Sequence, residues 1–371
     1  MLANFRLTSL ASTSVRIFDG MDAGDHEQVV WCREPSSGLR AVIALHSTTL
    51  GPGLGGVRFK PYATEDEALE DVLRLSRGMT YKNAAAGLDL GGGKAVIVGD
   101  PAALRSEALV RAFGRFVHGL AGRYLTAEDV GTTQADMDLI RRETPYVTGT
   151  SPSLGGSGDP SPATALGVLH AMHAAAEHLW GDEELAGRHV VVSGVGKVGS
   201  ALVHHLAEAG AKISLADIDG GRADAVATAV GADVVPVADV GATPCDLFSP
   251  CALGAVLTTT TIPRLRCAAV VGAANNQLGE ESDAERLVDA GILYVPDFVA
   301  NAGGVINIAE ELRGYDPERA RLAVGAVRRT TATVLATAAA EGITTAAAAE
   351  RVAERRIDAI AGLARISTGS T

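Results

Sequence analysis

Residues 189–217 constrain the fold of this chain more than any other stretch. His189-Val-Val-Val-Ser193 is a short β-branched run, Gly194-Val-Gly-Lys-Val-Gly199 follows it, and a helical pattern continues to about residue 209. A second apolar run, Lys212–Asp217, ends on an acid 23 residues after Gly194. A strand, Gly-x-Gly-x-x-Gly, a helix, and a strand ending in an acid make a βαβ unit suited to a dinucleotide. Gly194 permits the tight turn, Gly196 lets pyrophosphate approach the backbone, and Gly199 lets the helix pack on the strand. With Val198 they place a helix N-terminus toward the phosphates. Asp217 is expected to accept hydrogen bonds from the adenosine ribose hydroxyls and to repel a 2′-phosphate, which favours NAD over NADP. An ordinary βα turn would need none of these coincidences.

The rest of the chain arranges itself around that unit. Gln28–Glu34 and Leu39–Ser47 read as a hairpin about Pro35-Ser-Ser-Gly38. Thr64-Glu-Asp-Glu67 is a capping-box pattern before an amphipathic helix running to about Met79. Lys94–Gly99 reads as a buried strand stopped by Asp100-Pro101, followed by a helix at 106–121, a strand at 123–128 and a helix at 133–142. Gly149–Pro162 is rich in Gly, Ser and Pro and marks a boundary. A helix at 162–179 leads into the βαβ series, with further strands expected at 246–249, 269–273 and 292–296. The expected fold class is α/β, with an N-terminal α/β domain over 1–150 and a doubly wound parallel-sheet domain over 151–334. The Ala-rich C-terminal stretch is helical by propensity.

Composition excludes several function classes. The 371 residues carry 32 Lys and Arg against 44 Asp and Glu, a formal charge of −12, which is a poor footprint for nucleic acid or an anionic membrane. No apolar run is long enough to span a bilayer, and the first 20 residues lack a signal-peptide pattern. Cys32, Cys245, Cys251 and Cys267 have no CxxC spacing, so a reduced, cytoplasmic chain is expected. His170, His173 and Glu177 share a helix face, but three such residues fall short of a four-ligand structural metal site, and no metal is expected.

Lysine usage is more pointed. Only five lysines stand against 27 arginines, and two of them, Lys82 and Lys94, lie 12 residues apart in a segment otherwise nearly free of charge. An amine can lose its proton near neutral pH and a guanidinium cannot. Leu88-Asp-Leu-Gly-Gly-Gly-Lys94 also allows another molecule, or another loop, close to the backbone before Lys94. Two ammonium groups in one cleft lower each other's pKa, so one is expected to act as a base while the other holds a carboxylate. Ala127-Glu-Asp-Val-Gly131 places two acids at a strand end, where catalytic side chains of α/β proteins commonly sit, although Asp129 would also serve as a helix N-cap.

GPGLGGVR (51–58), RGMTYKNAAAGLDLGGGKAVI (77–97), EDVGT (128–132), GVGKVG, PCALG (250–254), GAANNQL (272–278) and PDFVANAGGVIN (296–307) occur in this order. Together they resemble the leucine/valine/phenylalanine dehydrogenases of the glutamate dehydrogenase-like superfamily, over residues 25 to 360. The resemblance implies that Lys82 binds the substrate α-carboxylate with the backbone of Gly55-Gly56, that Lys94 activates water, and that Asp129 shuttles protons on the amine. It places Asn301 against the amino acid and Thr164 and Asn275 near the nicotinamide end of NAD. It also implies a C-terminal segment, about 335–371, packed back on an N-terminal substrate and oligomerisation domain, a cleft between the domains, and a homo-oligomer.

Glutamate-specific relatives carry a lysine where this chain has Leu54, and a leucine cannot pair a γ-carboxylate. Phenylalanine-specific relatives tend to have glycine at the position of Ala127. Leu54, Ala127 and the pocket-wall position Thr148 therefore resemble the leucine and valine type. The expected reaction is the reversible NAD-dependent oxidative deamination of valine, leucine and isoleucine to 2-oxo acids and ammonia. One methyl group is worth only about 1–3 kcal/mol of discrimination, so overlap among the three is expected. The same mechanism on phenylalanine is the alternative, and a catalytically silent sensor of NAD or amino acid would have predicted loss of Lys94 or Asp129.

Overall fold

A computed structural model describes residues 17–252 and 254–365. Residues 1–16, Leu253 of the PCALG motif, and 366–371 of the C-terminal segment lie outside the described residues. Two sheets organise the chain. The first contains β1 (Gln28–Glu34), β2 (Leu39–Ser47), β3 (Gly53–Lys60), β4 (Gly91–Val98) and β5 (Tyr124–Glu128), in the order β1-β2-β4-β3-β5. The β1–β2 hairpin and the β2–β4 pair are antiparallel, whereas β3 runs parallel to both β4 and β5.

Alternation along β2 builds two cores from one strand. Val42 and Ala44 face the helix Glu65–Ala85 with Leu69, Val72 and Val96. Ala41, Ile43 and Leu45 face the helices Glu107–Gly119 and Gln134–Arg141 with Phe113, Val117, Met137 and Ile140. Thr64 caps the first of these helices by accepting the Glu67 N–H, as the sequence pattern predicts. That helix continues past the expected end at Met79 to Ala85, so Lys82 sits in its last turn. Nothing in the sequence breaks it there, because Thr80-Tyr-Lys-Asn-Ala-Ala85 contains neither Gly nor Pro. Likewise β4 starts at Gly91, three residues before Lys94, because the glycines themselves pair with β2 and β3.

The second sheet contains β6 (His189–Ser193), β7 (Lys212–Ala216), β8 (Asp233–Val234), β9 (Leu247–Pro250), β10 (Ala269–Val270) and β11 (Leu293–Tyr294), all parallel, in the order β11-β10-β9-β6-β7-β8. Counted from β6, this is the doubly wound order 3-2-1-4-5-6, whose crevice opens where β6 and β9 diverge to opposite sides. The fold is thus a two-domain α/β fold with a Rossmann-type second sheet. β10 and β11 are shorter than the sequence runs suggest.

The C-terminal helices Ala326–Glu341 and Thr345–Ala361 return to the first half of the chain. Val334, Ala338, Ala348, Ala349 and Ala353 close an apolar cluster with Leu50, Ala84, Ala85 and Val299. Small side chains on both surfaces let the helices approach closely. The Arg356 guanidinium then ties the turn after the 65–85 helix, donating to the carbonyls of Gly87 and Leu88 and pairing with Asp89. The return begins earlier than residue 335.

Candidate active site

Two glycine-dependent junctions set the geometry before any charged group is considered. A Cβ on Gly92 would lie 2.1 Å from Thr80 Oγ1, and one on Gly55 would lie 1.9 Å from the Gly93 carbonyl oxygen. What Gly92 admits is therefore the end of the 65–85 helix, packed down onto β4, whereas Gly91 and Gly93 face Ser47 and Tyr124. Asn83 from that helix fixes the contact by donating to the carbonyls of Leu54 (3.2 Å) and Gly91 (2.6 Å). Leaving such buried carbonyls unpaired costs about 1–3 kcal/mol each. Tyr124 holds Gly55 from β5, its hydroxyl donating to the Gly55 carbonyl at 2.7 Å.

Lys94, Asp129 and Lys82 converge on this junction. Lys94 Nζ lies 2.9 Å from Asp129 Oδ2, with the two side chains only 7% and 19% exposed. Arg58 Nε reaches the same oxygen at 3.0 Å. Burial disfavours the Asp129 carboxylate, but Lys94 and Arg58 outweigh it and hold the group below the ordinary carboxylate range. Asp129 sits just past β5, and its backbone N–H is taken by the Thr132 hydroxyl at 2.9 Å.

Lys82 Nζ donates to Asn301 Oδ1 at 2.6 Å, and Asn301 Nδ2 donates to Asn275 Oδ1 (2.8 Å) and the Ala273 carbonyl (3.1 Å). The first contact joins the two halves of the chain. Burial pulls the Lys82 ammonium down to about 8; Asp297 opposes that pull and Lys94 adds to it. Asp297 is half-buried, and its carboxylate accepts the N–H groups of Gln277 and Phe298.

Apolar walls surround the charges. Leu54 is fully buried, in a cluster that also takes in Leu125, Ala300 and Val305. Ala127 is buried opposite Gly56. Thr148 is buried beside it, donating its N–H and hydroxyl to the Thr126 carbonyl. Thr164 lies in the first turn of the Ser161–Trp180 helix, where its hydroxyl donates to the Pro160 carbonyl and faces Gly304.

The loop after β6 depends on its glycines. Gly194 adopts φ +95°, a Cβ on Gly199 would meet the Gly194 carbonyl oxygen at 2.0 Å, and the space beside Gly196 is open. The Lys197–Glu208 helix begins there without a side-chain cap, leaving its N–H groups available to an anion. Val198 lies in its first turn. Asp217 follows β7, and its carboxylate already accepts the Val195 N–H (2.8 Å) and the Asp219 N–H (2.9 Å). Arg222 stands 3.6 Å from it. Asp217 thus shapes the loop, a role its sequence position does not show.

The matches to known proteins cover this whole assembly. The profile described as "Glu/Leu/Phe/Val dehydrogenase, dimerisation domain" matches residues 26–146, and "Glutamate/Leucine/Phenylalanine/Valine dehydrogenase" matches 155–226 and 221–359. The chain belongs to the Glu/Leu/Phe/Val dehydrogenase family. Among its relatives is a leucine dehydrogenase of Thermoactinomyces intermedius, 53% identical over 93% of this chain and 94% of that protein. A valine dehydrogenase of Streptomyces virginiae is 54% identical over 91% and 95%. The crystal structure of an L-tryptophan dehydrogenase from Nostoc punctiforme superimposes with a TM-score of 0.83 at 42% identity, covering 92% of this chain and 99% of that one. As a member of the Glu/Leu/Phe/Val dehydrogenases, this protein is an amino-acid dehydrogenase.

Several residues of the site escaped the sequence reading. Arg58 and Asp297 lie inside the motifs GPGLGGVR and PDFVANAGG, but nothing local distinguishes them from surface charges. Asp71 and Arg222 carry no sequence signal at all. The helix-face residues His173 and Glu177 make other contacts, to the Glu183 carbonyl and to Arg328.

Proposed function

We propose that this enzyme catalyses the reversible NAD-dependent oxidative deamination of valine, leucine and isoleucine to 2-oxo acids and ammonia. The observation that carries the reading is the pairing of two lysine contacts, Lys82–Asn301 and Lys94–Asp129, with the uncharged, fully buried Leu54. Leucine and valine dehydrogenases more than half identical to the chain over nearly its full length support the same substrate class.

The residues fit NAD. The open space at Gly196 and the uncapped helix after it suit a pyrophosphate, and Asp217 suits ribose hydroxyls. Asn275 and Thr164 would stand toward the nicotinamide. Bound NAD⁺ supplies the acceptor for the hydride on the amino acid Cα. Lys82 in its ammonium form, with Asn301 and the backbone at Gly55-Gly56, holds the α-carboxylate. Lys94, having given up a proton, withdraws one from the water that adds to Cα, and the returned ammonium faces the oxygen as charge develops. Asp129 exchanges a proton with the substrate nitrogen as ammonia leaves.

The division into 1–150 and 151–334 with a returning C-terminal segment, a homo-oligomer built on the first domain, and a cytoplasmic location belong to the same reading. The dimerisation-domain match supports the oligomer, and the four free cysteines support a reducing compartment. The direct test is NADH formation, followed by absorbance at saturating NAD⁺, against a panel of L-amino acids, with NADP⁺ in parallel. Turnover fastest on valine, leucine or isoleucine with NAD⁺ supports the reading; preference for phenylalanine, glutamate or NADP⁺ overturns it.

A further inference from the structure

The Lys94–Asp129 pair does not end at Asp129. Arg58, two residues beyond the Gly55-Gly56 junction on β3, uses Nε for Asp129 Oδ2 and Nη1 for Asp71 Oδ2, each at 3.0 Å. Asp71 is held in turn from two directions. Tyr62 donates its hydroxyl to Oδ2 at 2.8 Å, and Arg74 donates to Oδ1 at 2.8 Å. Arg74 then reaches Asn276 Oδ1, 3.3 Å away on the second half of the chain. Asn276, at φ +53°, adjoins Asn275, which accepts from Asn301, the partner of Lys82. Polar contacts thus run from each lysine across the cleft to one asparagine pair.

We infer that Arg58 is a positioning residue for this reaction: its guanidinium, bridging Asp129 and Asp71, fixes the Asp129 carboxylate against Lys94. The inference rests on the deamination reading above, in which Asp129 must hold and pass a proton.

Geometry carries the argument. A planar guanidinium presents donors in a fixed fork, so one side chain can engage two carboxylates at once, which a single ammonium does poorly. Arg58 and Asp71 are 16% and 12% exposed, so water does little to weaken either contact. Burial of the guanidinium is a cost that only the two carboxylates offset. Lys94 and Arg58 approach the same oxygen, so Arg58 selects which face of the carboxylate meets the lysine. An exposed arginine making one contact would do none of this.

The charged groups around Asp129 are few. Lys94 faces it from β4, Arg58 from β3, Lys82 from the end of the 65–85 helix, and Glu128 from its own strand. Tyr124 and Tyr62 lie within range of its charge. From the second half of the chain, Lys197 and Asp159 face Glu128. Arg58 and Lys94 are the two cations in contact with it, so removing Arg58 leaves Lys94 alone against burial. The Asp129 pKa then rises, and activity is lost at a higher pH as the solution is acidified.

The experiment measures kcat and KM for leucine against pH at saturating NAD⁺, in the parent, Arg58→Met, Arg58→Lys and Tyr62→Phe enzymes, with a thermal melt of each. Arg58→Met should lower kcat by about 10–100-fold and move the acid limb of its pH profile up by about one unit, with KM within about threefold because the Lys82–Asn301 contact is untouched. Arg58→Lys should restore the acid limb while recovering only part of kcat. Tyr62→Phe, which loosens Asp71 without removing a charge, should lower kcat by about two- to fivefold in the same sense. A folded Arg58→Met enzyme with the parent's kcat and acid limb overturns the inference, and so does a loss shared equally by kcat and KM with an unmoved limb. If Arg58→Met does not fold, Tyr62→Phe decides: an unchanged kcat overturns it. If the parent turns over no amino acid, the deamination reading itself fails. Carbon-13 titration of aspartate-labelled protein, assigned with Asp129→Asn, then tests Arg58 directly. A rise in the Asp129 pKa in Arg58→Met that Arg58→Lys reverses supports the inference, and an unmoved Asp129 pKa in Arg58→Met overturns it.

Discussion

Lys94 Nζ and Asp129 Oδ2 stand 2.9 Å apart at the junction of β4 and β5, enclosed on one side by the last turn of the 65–85 helix. The contact exists because Gly92 lets that helix settle on β4, and because Gly56 lets β3 lie between the strands that carry the two residues. The backbone therefore places a cation and an anion together before substrate arrives, and little reorganisation is left for the chemical step.

Replacing Lys94 with alanine should remove most turnover, about 10²–10⁴-fold in kcat, as expected for loss of a general base. NAD⁺ affinity, read by fluorescence titration of NADH, should change little, because the Gly194–Gly199 loop lies on the other sheet. Lys94→Arg should be nearly as damaging, since a guanidinium keeps its proton. A Lys94→Ala enzyme retaining more than half the parent rate would locate the base elsewhere.

Asp217 gives a prediction that sequence alone would have framed differently. Its carboxylate accepts the N–H groups of Val195 and Asp219, so Asp217→Ala removes two loop contacts along with the ribose acceptor. NAD⁺ binding should weaken by more than Asp217→Asn causes, because asparagine keeps one carbonyl acceptor. Both changes should narrow the preference for NAD⁺ over NADP⁺, and Arg222 is placed to favour a 2′-phosphate once the acid is gone. Unchanged KM ratios for the two cofactors in Asp217→Ala would show that discrimination lies at other residues.

These two cases show where the sequence was legible. Local patterns located the β1–β2 hairpin, the Thr64 cap and β6, because hydrophobic period, turn residues and caps are properties of neighbouring residues. The lysine pair stood out because the chain otherwise uses arginine. The partners of those lysines were less accessible. Asp71 meets Arg58 only because the 65–85 helix lies across β3, and Asp297 is near Lys82 only through packing of the two halves. The end of that helix is marked locally by Gly87, which at φ +76° closes it with the Leu88 N–H donating to the Asn83 carbonyl, so that boundary was legible although the expected end at Met79 falls short of it.

The Lys82 ammonium, lowered to about 8 by burial, predicts a pH effect with a definite sign. Below pH 8 the group is charged and can pair a carboxylate; above it the neutral amine cannot. A substrate-shaped acid with no amine of its own, 4-methylpentanoate, isolates this term. Its dissociation constant should be nearly flat up to about pH 7.5 and then rise toward tenfold per pH unit. Lys82→Met should bind it weakly at every pH. The same burial penalises the folded state at pH values where the unfolded lysine is protonated. The penalty is full below about 8 and fades as pH rises toward the ordinary lysine value. Binding of the acid that is independent of pH between 7 and 9.5 in the parent would remove Lys82 from this role.

Arg356 offers a stability test away from the chemistry. It reaches from the helix Thr345–Ala361 to two carbonyls and one carboxylate in the turn Gly87–Asp89, directly before β4. Arg356→Ala should destabilise by about 1–2 kcal/mol, since the contacts are charge-assisted but partly exposed. The melting temperature should fall by a few degrees while KM for the amino acid stays within about twofold. A melt indistinguishable from the parent's would show that the apolar cluster around Ala348 and Ala349 anchors the returning helices without it.

Lys82 and Asn301 should act as one unit, because their 2.6 Å contact joins elements from the two halves of the chain and both are proposed to hold the same carboxylate. Removing either partner loses its own bond to substrate and also frees the other from its fixed position. Asn301→Ala additionally releases Asn275 and the Ala273 carbonyl, so its effect should extend to the cofactor side of the cleft. Lys82→Met and Asn301→Ala should each lower kcat/KM for leucine by about 10²-fold or more, in line with truncating one partner of a hydrogen-bonded charge contact. The double variant should be little worse than the poorer single variant, giving a coupling energy of about 1–3 kcal/mol. Initial rates of NADH formation for the four proteins of the cycle measure it. Additivity within about 0.5 kcal/mol would mean that the two side chains contribute separately.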